Sequence, residues 1–178
     1  MTDQQLERLA RLAGFTYARR LDGDTLNPRE EVREACLRNS CGQYGRCWTC
    51  PPACGTLDEC RSKIRQYKHG ILVQTVGDLE DEFDWDGMKA AEARHKTNFE
   101  ILRQKLRISY PALLALGAGS CTICQACTYP DRPCRFPDRQ ISSMEAYGLL
   151  VLQVCKENGM EYYYGTSSVA YTSCFLLE

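Results

Sequence analysis

The sequence has little histidine, no strong charge excess and no long apolar run. Only two histidines occur among its 178 residues, so a zinc site of two cysteines and two histidines finds little support. The net charge of −1 provides no electrostatic basis for binding nucleic acid or an anionic membrane surface. The longest apolar stretches, such as ALLALGAG at 112–119, are too short to span a bilayer. We therefore expect neither nucleic acid nor a membrane as a partner.

The sequence also lacks the short motifs of several enzyme classes. It contains no G-x-S-x-G, no Walker A motif, no G-x-G-x-x-G and no H-E-x-x-H, which argues against the hydrolase, nucleotide and metalloprotease chemistries that these motifs serve. The segment MTDQQLERLARLAGF does not combine a basic region with a continuous apolar region, so no secretory signal is predicted. We therefore expect a cytoplasmic protein.

What the sequence does contain is cysteine, twelve residues in all. This share is below that of a typical disulfide scaffold. A cytoplasmic environment keeps thiols reduced, so clustered cysteines there are metal ligands or catalytic groups more often than disulfide partners. The clustering therefore predicts metal binding.

Four cysteines lie in the stretch CTICQACTYPDRPC at 121–134. Zinc–sulfur bonds of about 2.3 Å place the sulfurs of a tetrahedral site roughly 3.8 Å apart, and such sites usually combine two separated cysteine pairs. Three cysteines at successive spacings of three instead lead the backbone around an object with several corners, as in the bacterial ferredoxin run. We predict a [4Fe-4S] cluster here, with zinc as the alternative. The predicted ligands are Cys121, Cys124, Cys127 and Cys134.

Three arginines, Arg132, Arg135 and Arg139, surround the last of these thiols. Positive charge beside a cluster with four thiolates raises its reduction potential. An equally good interpretation is that they are ordinary arginines of a surface loop.

The first cysteine-rich segment, at about 36–60, holds more thiols than one metal centre needs. Its central part, 39–55, shows neither a helical nor a strand period, which predicts an irregular loop. Cys50 precedes two prolines, much as the last ligand of the ferredoxin run precedes one. Cys60 lies early in a capped helix whose dipole favours thiolate, whereas Cys36 lies at a helix end; either can equally be a small buried residue. The candidates are Cys36, Cys41, Cys47, Cys50, Cys54 and Cys60.

Periodicity predicts an α+β fold in a single domain, residues 1–178, that carries both cysteine loops. Capping boxes at Thr2 and Thr56 begin helices, a longer helix is expected over about 85–109, and Ser142 begins one that runs to about Lys156. The expected strands are 15–21, 70–77, part of 112–119, EYYYG at 161–165 and SVAYTSCFLL at 168–177. Cys155, Cys174 and His95 lie on apolar faces and are interpreted as core residues.

The two loops together resemble a known family. The pattern C-x4-C-G-x-Y-G-x2-W-x-CPP, followed by C-x2-C-x2-C and PCRFPDRQISSMEAYG at 133–148, is similar to the DUF2284 family of predicted metal-binding proteins. The resemblance runs from about Arg33 to the end of the chain and implies a cysteine-bound metal centre, usually presumed to be iron–sulfur, in anaerobes. It also implies which first-loop thiols hold the second centre, namely Cys36, Cys41, Cys50 and Cys60, with Cys47 and Cys54 as alternates.

Two clusters in one small domain would most naturally pass electrons to a larger redox partner. We therefore expect an electron-transfer or accessory metalloprotein rather than a stand-alone enzyme. One alternative is a zinc module in which metal holds two loops folded and a surface binds a partner. Another is an enzyme with an open iron position on a cluster that has three cysteine ligands.

Overall fold

Four antiparallel strands form one sheet in the computed structural model, which describes all 178 residues. Their spatial order is β1–β2–β4–β3, so the two long strands are central and the short β3 lies at an edge. The strands are β1 (Tyr17–Asp22), β2 (His69–Asp78), β3 (Leu114–Leu116) and β4 (Ser168–Leu177).

Five α-helices and two short 3-10 turns accompany the sheet, which confirms the α+β prediction. The predicted capping boxes at Thr2 and Thr56 are both present and begin α1 and α3. No helix is long and apolar enough to cross a membrane. The helices are α1 (Asp3–Leu12), α2 (Glu30–Leu37), α3 (Leu57–Ile64), α4 (Trp85–Ser109) and α5 (Val151–Glu157), and the turns are Gly23–Thr25 and Glu145–Tyr147.

Helices cover both faces of the sheet, which explains why its central strands are apolar on both sides. On the face covered by α1 and α4, Phe99 stacks on Phe175 with ring centroids 4.6 Å apart. On the other face, covered by α3 and α5, Leu72 joins Cys155 and Cys174 in a buried cluster. Both cysteines are fully buried, so their interpretation as core residues is confirmed. Burial of each large apolar side chain contributes about 2 kcal/mol.

The strand predicted at EYYYG does not form. The Tyr164 hydroxyl donates instead to Oε1 of the buried Gln74 at 2.7 Å, and the Tyr164 ring stacks on Tyr17 at 5.5 Å. Side-chain contacts therefore attach this segment to the sheet without a ladder of backbone hydrogen bonds. The run of tyrosines has high strand propensity, but propensity alone does not form a strand, and the backbone of this segment does not pair with the edge strand β1.

The helix predicted from Ser142 to Lys156 is interrupted. It is replaced by the turn Glu145–Tyr147 and the separate helix α5. Between them Gly148 adopts φ +79°, a left-handed conformation that ends the turn. A Cβ at this position would clash with Leu57 Cδ1 of α3, so tertiary packing requires the glycine that breaks the helix.

His95 of α4 is buried against the sheet, with 1% of its surface exposed. Its Nδ1 lies 2.9 Å from Thr75 Oγ1 and its Nε2 lies 2.7 Å from Ser173 Oγ, so both ring nitrogens have partners. Burial lowers the pKa of His95 to about 3, and the charge of Lys96 acts in the same direction. The interpretation of His95 as a satisfied core histidine is confirmed.

We expect the free energy of unfolding to fall as the pH drops below about 6.5, because the unfolded chain then protonates an imidazole that the fold keeps neutral. The stabilisation is complete above pH 6.5 and is lost progressively towards the folded pKa of about 3. Between pH 7 and pH 5 the loss should be about 2 kcal/mol greater in the wild type than in His95→Gln, measured by urea unfolding. Equal losses in the two proteins would contradict a neutral buried imidazole.

Candidate metal centre

The second cysteine loop leaves the sheet just after β3 and returns beside the same point. The Gly117 amide donates to Ser142 O at 2.9 Å, and the Met144 amide donates to Gly117 O at 3.0 Å. Within 118–141 only three backbone–backbone hydrogen bonds form. The base of the loop is therefore tied to the sheet, whereas its interior depends on other contacts.

Side chains supply several of these contacts. Arg103 of α4, which is buried, donates from Nη1 to Asp138 O at 2.9 Å. Arg135 donates to Ala126 O at 2.8 Å, which joins the two halves of the loop. These bonds fix the course of the backbone around the cysteines.

The aromatic residue Trp48 links the first loop to the second. Its Nε1 donates to Arg132 O at 3.1 Å, and its ring meets Tyr129 edge to face at 4.9 Å. These contacts place residues 43–49 against the second cysteine loop.

Between the loops lies a cavity of about 600 Å³, which we call the thiol cavity. All four predicted cluster ligands are on its wall, and the first-loop residue Cys47 lies there with them. The five cysteines that line the cavity are Cys47, Cys121, Cys124, Cys127 and Cys134.

One of these five sulfurs, that of Cys134, accepts the backbone N–H of Phe136, two positions later, at 3.4 Å. Such bonds stabilise thiolate and are one of the means by which proteins set the potential of iron–sulfur clusters. Burial raises the pKa of Cys121, and its N–H···S bond opposes this shift. The amide of Thr49 likewise lowers the pKa of Cys47, after the larger effect of the Cys50 thiol.

Two of the remaining first-loop thiols lie near the turn Glu145–Tyr147, which belongs to the motif SMEAYG. The Cys54 thiol donates to Ala146 O at 3.5 Å, and the Cys36 thiol contacts Glu145 O at 3.9 Å. The amide of Arg29, just before α2, donates to Gly148 O at 2.8 Å. The SMEAYG segment thus packs against the first cysteine loop, although it follows the second one in sequence.

The first loop contains two close thiol pairs. A hydrogen bond from the Cys50 thiol lowers the pKa of Cys47 to about 5 and raises the pKa of Cys50. The neighbouring Cys54 lowers the pKa of Cys60 to about 6, and Cys60 raises the pKa of Cys54. Within each pair the shift therefore favours thiolate, the form that binds metal, at Cys47 and at Cys60. The bias towards thiolate expected at Cys60 has the neighbouring Cys54 as its largest cause.

The four predicted ligands of the second centre lie close enough to neighbouring first-loop cysteines to shift one another's pKa. Burial raises the pKa of Cys36, and the charge of nearby Cys41 adds to that effect. The pKa of Cys50 is raised chiefly by Cys47 and by burial, and the charges of Cys41 and Cys54 raise it further. Since Cys60 pairs with Cys54, Cys54 lies between two of the predicted ligands.

Arg33 of α2 places a positive charge among these thiols. Its Nη2 donates to Cys60 Sγ at 3.2 Å and to Gly55 O at 2.7 Å. The guanidinium also lowers the pKa of Cys36 and Cys54, in each case against a larger effect of opposite sign. Arg33 forms no ion pair with a carboxylate, and its buried Nε has no hydrogen-bond partner. The unpaired positive charge of Arg33 beside these thiols suits a bound centre that carries negative charge.

The donor set fits a cysteine-bound metal centre. Thiolates are the preferred ligands of zinc and of iron–sulfur clusters. No group of three or more Cys, His, Asp or Glu side chains is arranged so that it could hold a single metal ion. The five cysteines of the thiol cavity instead line a common volume.

Sequence reasoning missed two features of this site. It grouped Cys47 with the first loop, although the fold places this residue on the thiol cavity, and it gave Arg33 no role. The adjacent Trp48 is a local signal for Cys47, because a loop tryptophan tends to contact another segment. Arg33 precedes Cys36 by three residues, which places both on one helix face.

Comparison with known proteins identifies the family. No curated protein and no solved structure gives a significant match to the chain. The family model described as predicted metal-binding protein (DUF2284) matches residues 19–177, which include both cysteine loops and the SMEAYG motif. The chain therefore belongs to the DUF2284 family of predicted metal-binding proteins.

Proposed function

We propose that this protein carries a [4Fe-4S] cluster in the thiol cavity and a second metal centre on the first loop, and that it transfers electrons to a redox partner protein. The observation that carries the proposal is the common cavity wall shared by Cys121, Cys124, Cys127 and Cys134. A cluster bound there would supply one-electron chemistry. The four thiolates would hold it, and the N–H···S bonds would offset part of their charge.

The second centre would use thiols of the first loop. Cys36, Cys41, Cys50 and Cys60 remain the proposed ligands, and the position of Cys54 beside Cys60 makes it the first substitute. Arg33 would offset the negative charge of the bound centre. The two sites adjoin at the hydrogen-bonded pair of Cys47 and Cys50, because Cys47 is on the wall of the thiol cavity. An electron could cross between the centres at this boundary.

The exposure of the second loop supports an electron-transfer role. Most of residues 125–140 are exposed, including Cys127 among the proposed ligands. A cluster held at this surface would allow a redox partner to approach closely. The same loop contains few backbone hydrogen bonds of its own, so metal binding would contribute directly to its order.

Anaerobically purified protein should contain iron and acid-labile sulfide in equal amounts. Cys124→Ser should remove one cluster, about four iron atoms per chain, because it deletes a thiolate of the thiol cavity. Cys60→Ser should instead reduce the metal of the first loop. Cys155→Ala, which alters a core thiol outside both loops, serves as the matched control and should retain the full metal content. Zinc without sulfide in the wild type would contradict the iron–sulfur proposal and favour the zinc module.

Replacing Arg33 should change the redox potential of the first-loop centre. Arg33→Gln removes a positive charge beside Cys60, so the reduction potential should fall by an amount on the order of 50 mV. Arg33→Lys keeps the charge and should retain a potential close to that of the wild type. Potentiometric titration followed by EPR measures both. A potential that is the same in Arg33→Gln as in the wild type would show that this residue does not act on a redox centre.

A further inference from the structure

A second cavity, of about 380 Å³, lies between α4 and the segment 117–123. Its size falls within the range of small-molecule sites, about 300–1,000 Å³. It adjoins the thiol cavity, because Ser120, Cys121, Thr122 and Ile123 contribute to the walls of both. None of its other lining residues is a cysteine. We call it the α4 pocket.

The charges on the α4 pocket leave an excess of positive charge. Arg139 lines the pocket and forms no ion pair with any carboxylate. Lys96 also lines it and is paired with Glu92 at 2.6 Å. Glu100 is the one acidic residue on the wall, and its two carboxylate oxygens accept hydrogen bonds from Arg103 at 2.8 and 2.9 Å. Burial opposes ionisation of Glu100, but hydrogen bonds from Arg103 and Gln104 and, more weakly, the charges of Arg103 and Arg139 lower its pKa. Because Arg103 is the ion-pair partner of Glu100, the positive charge of Arg139 remains in excess on the pocket wall.

Neutral hydrogen-bonding groups also line the α4 pocket. The amides of residues 118–122, a segment that lines the pocket, donate to no acceptor within the protein and are therefore available to a ligand. Lys96 Nζ donates to Ser120 O at 3.3 Å and thereby holds the segment against α4. The buried hydroxyl of Ser173, bonded to His95, contributes to the lining from the sheet side.

An arginine without an ion-pair partner, next to unpartnered backbone amides, suits an oxyanion. The planar guanidinium binds carboxylate or phosphate with two parallel hydrogen bonds, and backbone amides add further donors. The Arg139 guanidinium lies 5.6 Å from the centre of the Phe136 ring, a contact that restricts its position at the pocket edge.

We propose that the α4 pocket binds a small anionic molecule that carries a carboxylate or phosphate group. Cys121 lines both cavities, so this molecule lies directly beside the proposed cluster. The binding site depends on the charges of Arg139 and Lys96 and on the backbone amides of 118–122. Of these residues only Cys121 is a proposed metal ligand, and it would bind the metal through its side chain. The inference therefore holds whichever metal the thiols bind.

Isothermal titration calorimetry on the anaerobically purified full chain tests the proposal. The probes are succinate and inorganic phosphate, with succinamide as a neutral analogue of succinate. At least one of the two anions should bind, and succinamide should not. Preference for succinate would identify a carboxylate site, and preference for phosphate a phosphate site.

Two variants examine the contribution of charge. Arg139→Gln should weaken binding at least tenfold, because it removes the unpaired cation. Thr97→Glu places a carboxylate on the exposed wall of the pocket and should weaken binding to a similar degree. Arg107→Gln, an exposed position of α4 outside the pocket, should bind as the wild type does. Both pocket positions are exposed, and the circular dichroism and metal content of each variant check that folding is unchanged.

The proposal is overturned if neither anion binds to the wild type, or if Arg139→Gln and Thr97→Glu bind as tightly as the wild type does. If the wild type contains no iron but still binds one of the anions, only the proposed function is contradicted. The two proposals can therefore fail separately.

Discussion

Crowding of thiols is the constraint on which this structure depends, because a negative charge on one thiol raises the pKa of its neighbours, as Cys47 does for Cys121 after the larger effect of burial. Ten of the twelve cysteines lie in the two loops, and Cys47 of the first loop lines the thiol cavity together with the four cysteines of the second. The protein itself supplies only limited compensation, namely the Phe136 backbone N–H directed at Cys134 and the guanidinium of Arg33 directed at Cys60. A bound metal centre would supply the rest of the positive charge and would thereby stabilise both loops.

The sheet and the second cysteine loop are held together by different kinds of contact. The sheet has a buried cluster on each face, and His95 and Gln74 satisfy their polar groups inside it. The second loop, in contrast, is tied to the sheet at its base by Gly117 and is otherwise held by isolated side-chain bonds. This arrangement positions the thiols around an open volume and leaves their final spacing to the bound group.

The local parts of the fold could be predicted from the sequence, and the long-range parts could not. The capping boxes at Thr2 and Thr56 and the helix over 85–109 follow from signals within a few residues, and all three are present. The break at Gly148 arises from packing against Leu57, which lies 91 positions earlier. The position of Cys47 likewise depends on contacts between Trp48 and the second loop. Spacing rules describe ligands within one loop, so they cannot show that a thiol of one loop faces the other.

The central claim is that the thiols of the thiol cavity surround a polynuclear iron–sulfur core. X-ray absorption spectroscopy at the iron edge of anaerobically prepared protein tests this most directly, because it reports the atoms around each iron. We expect a shell of sulfur neighbours followed by a shell of other iron atoms. A metal surrounded by sulfur with no second metal nearby would contradict the claim, and with it the proposed electron-transfer role.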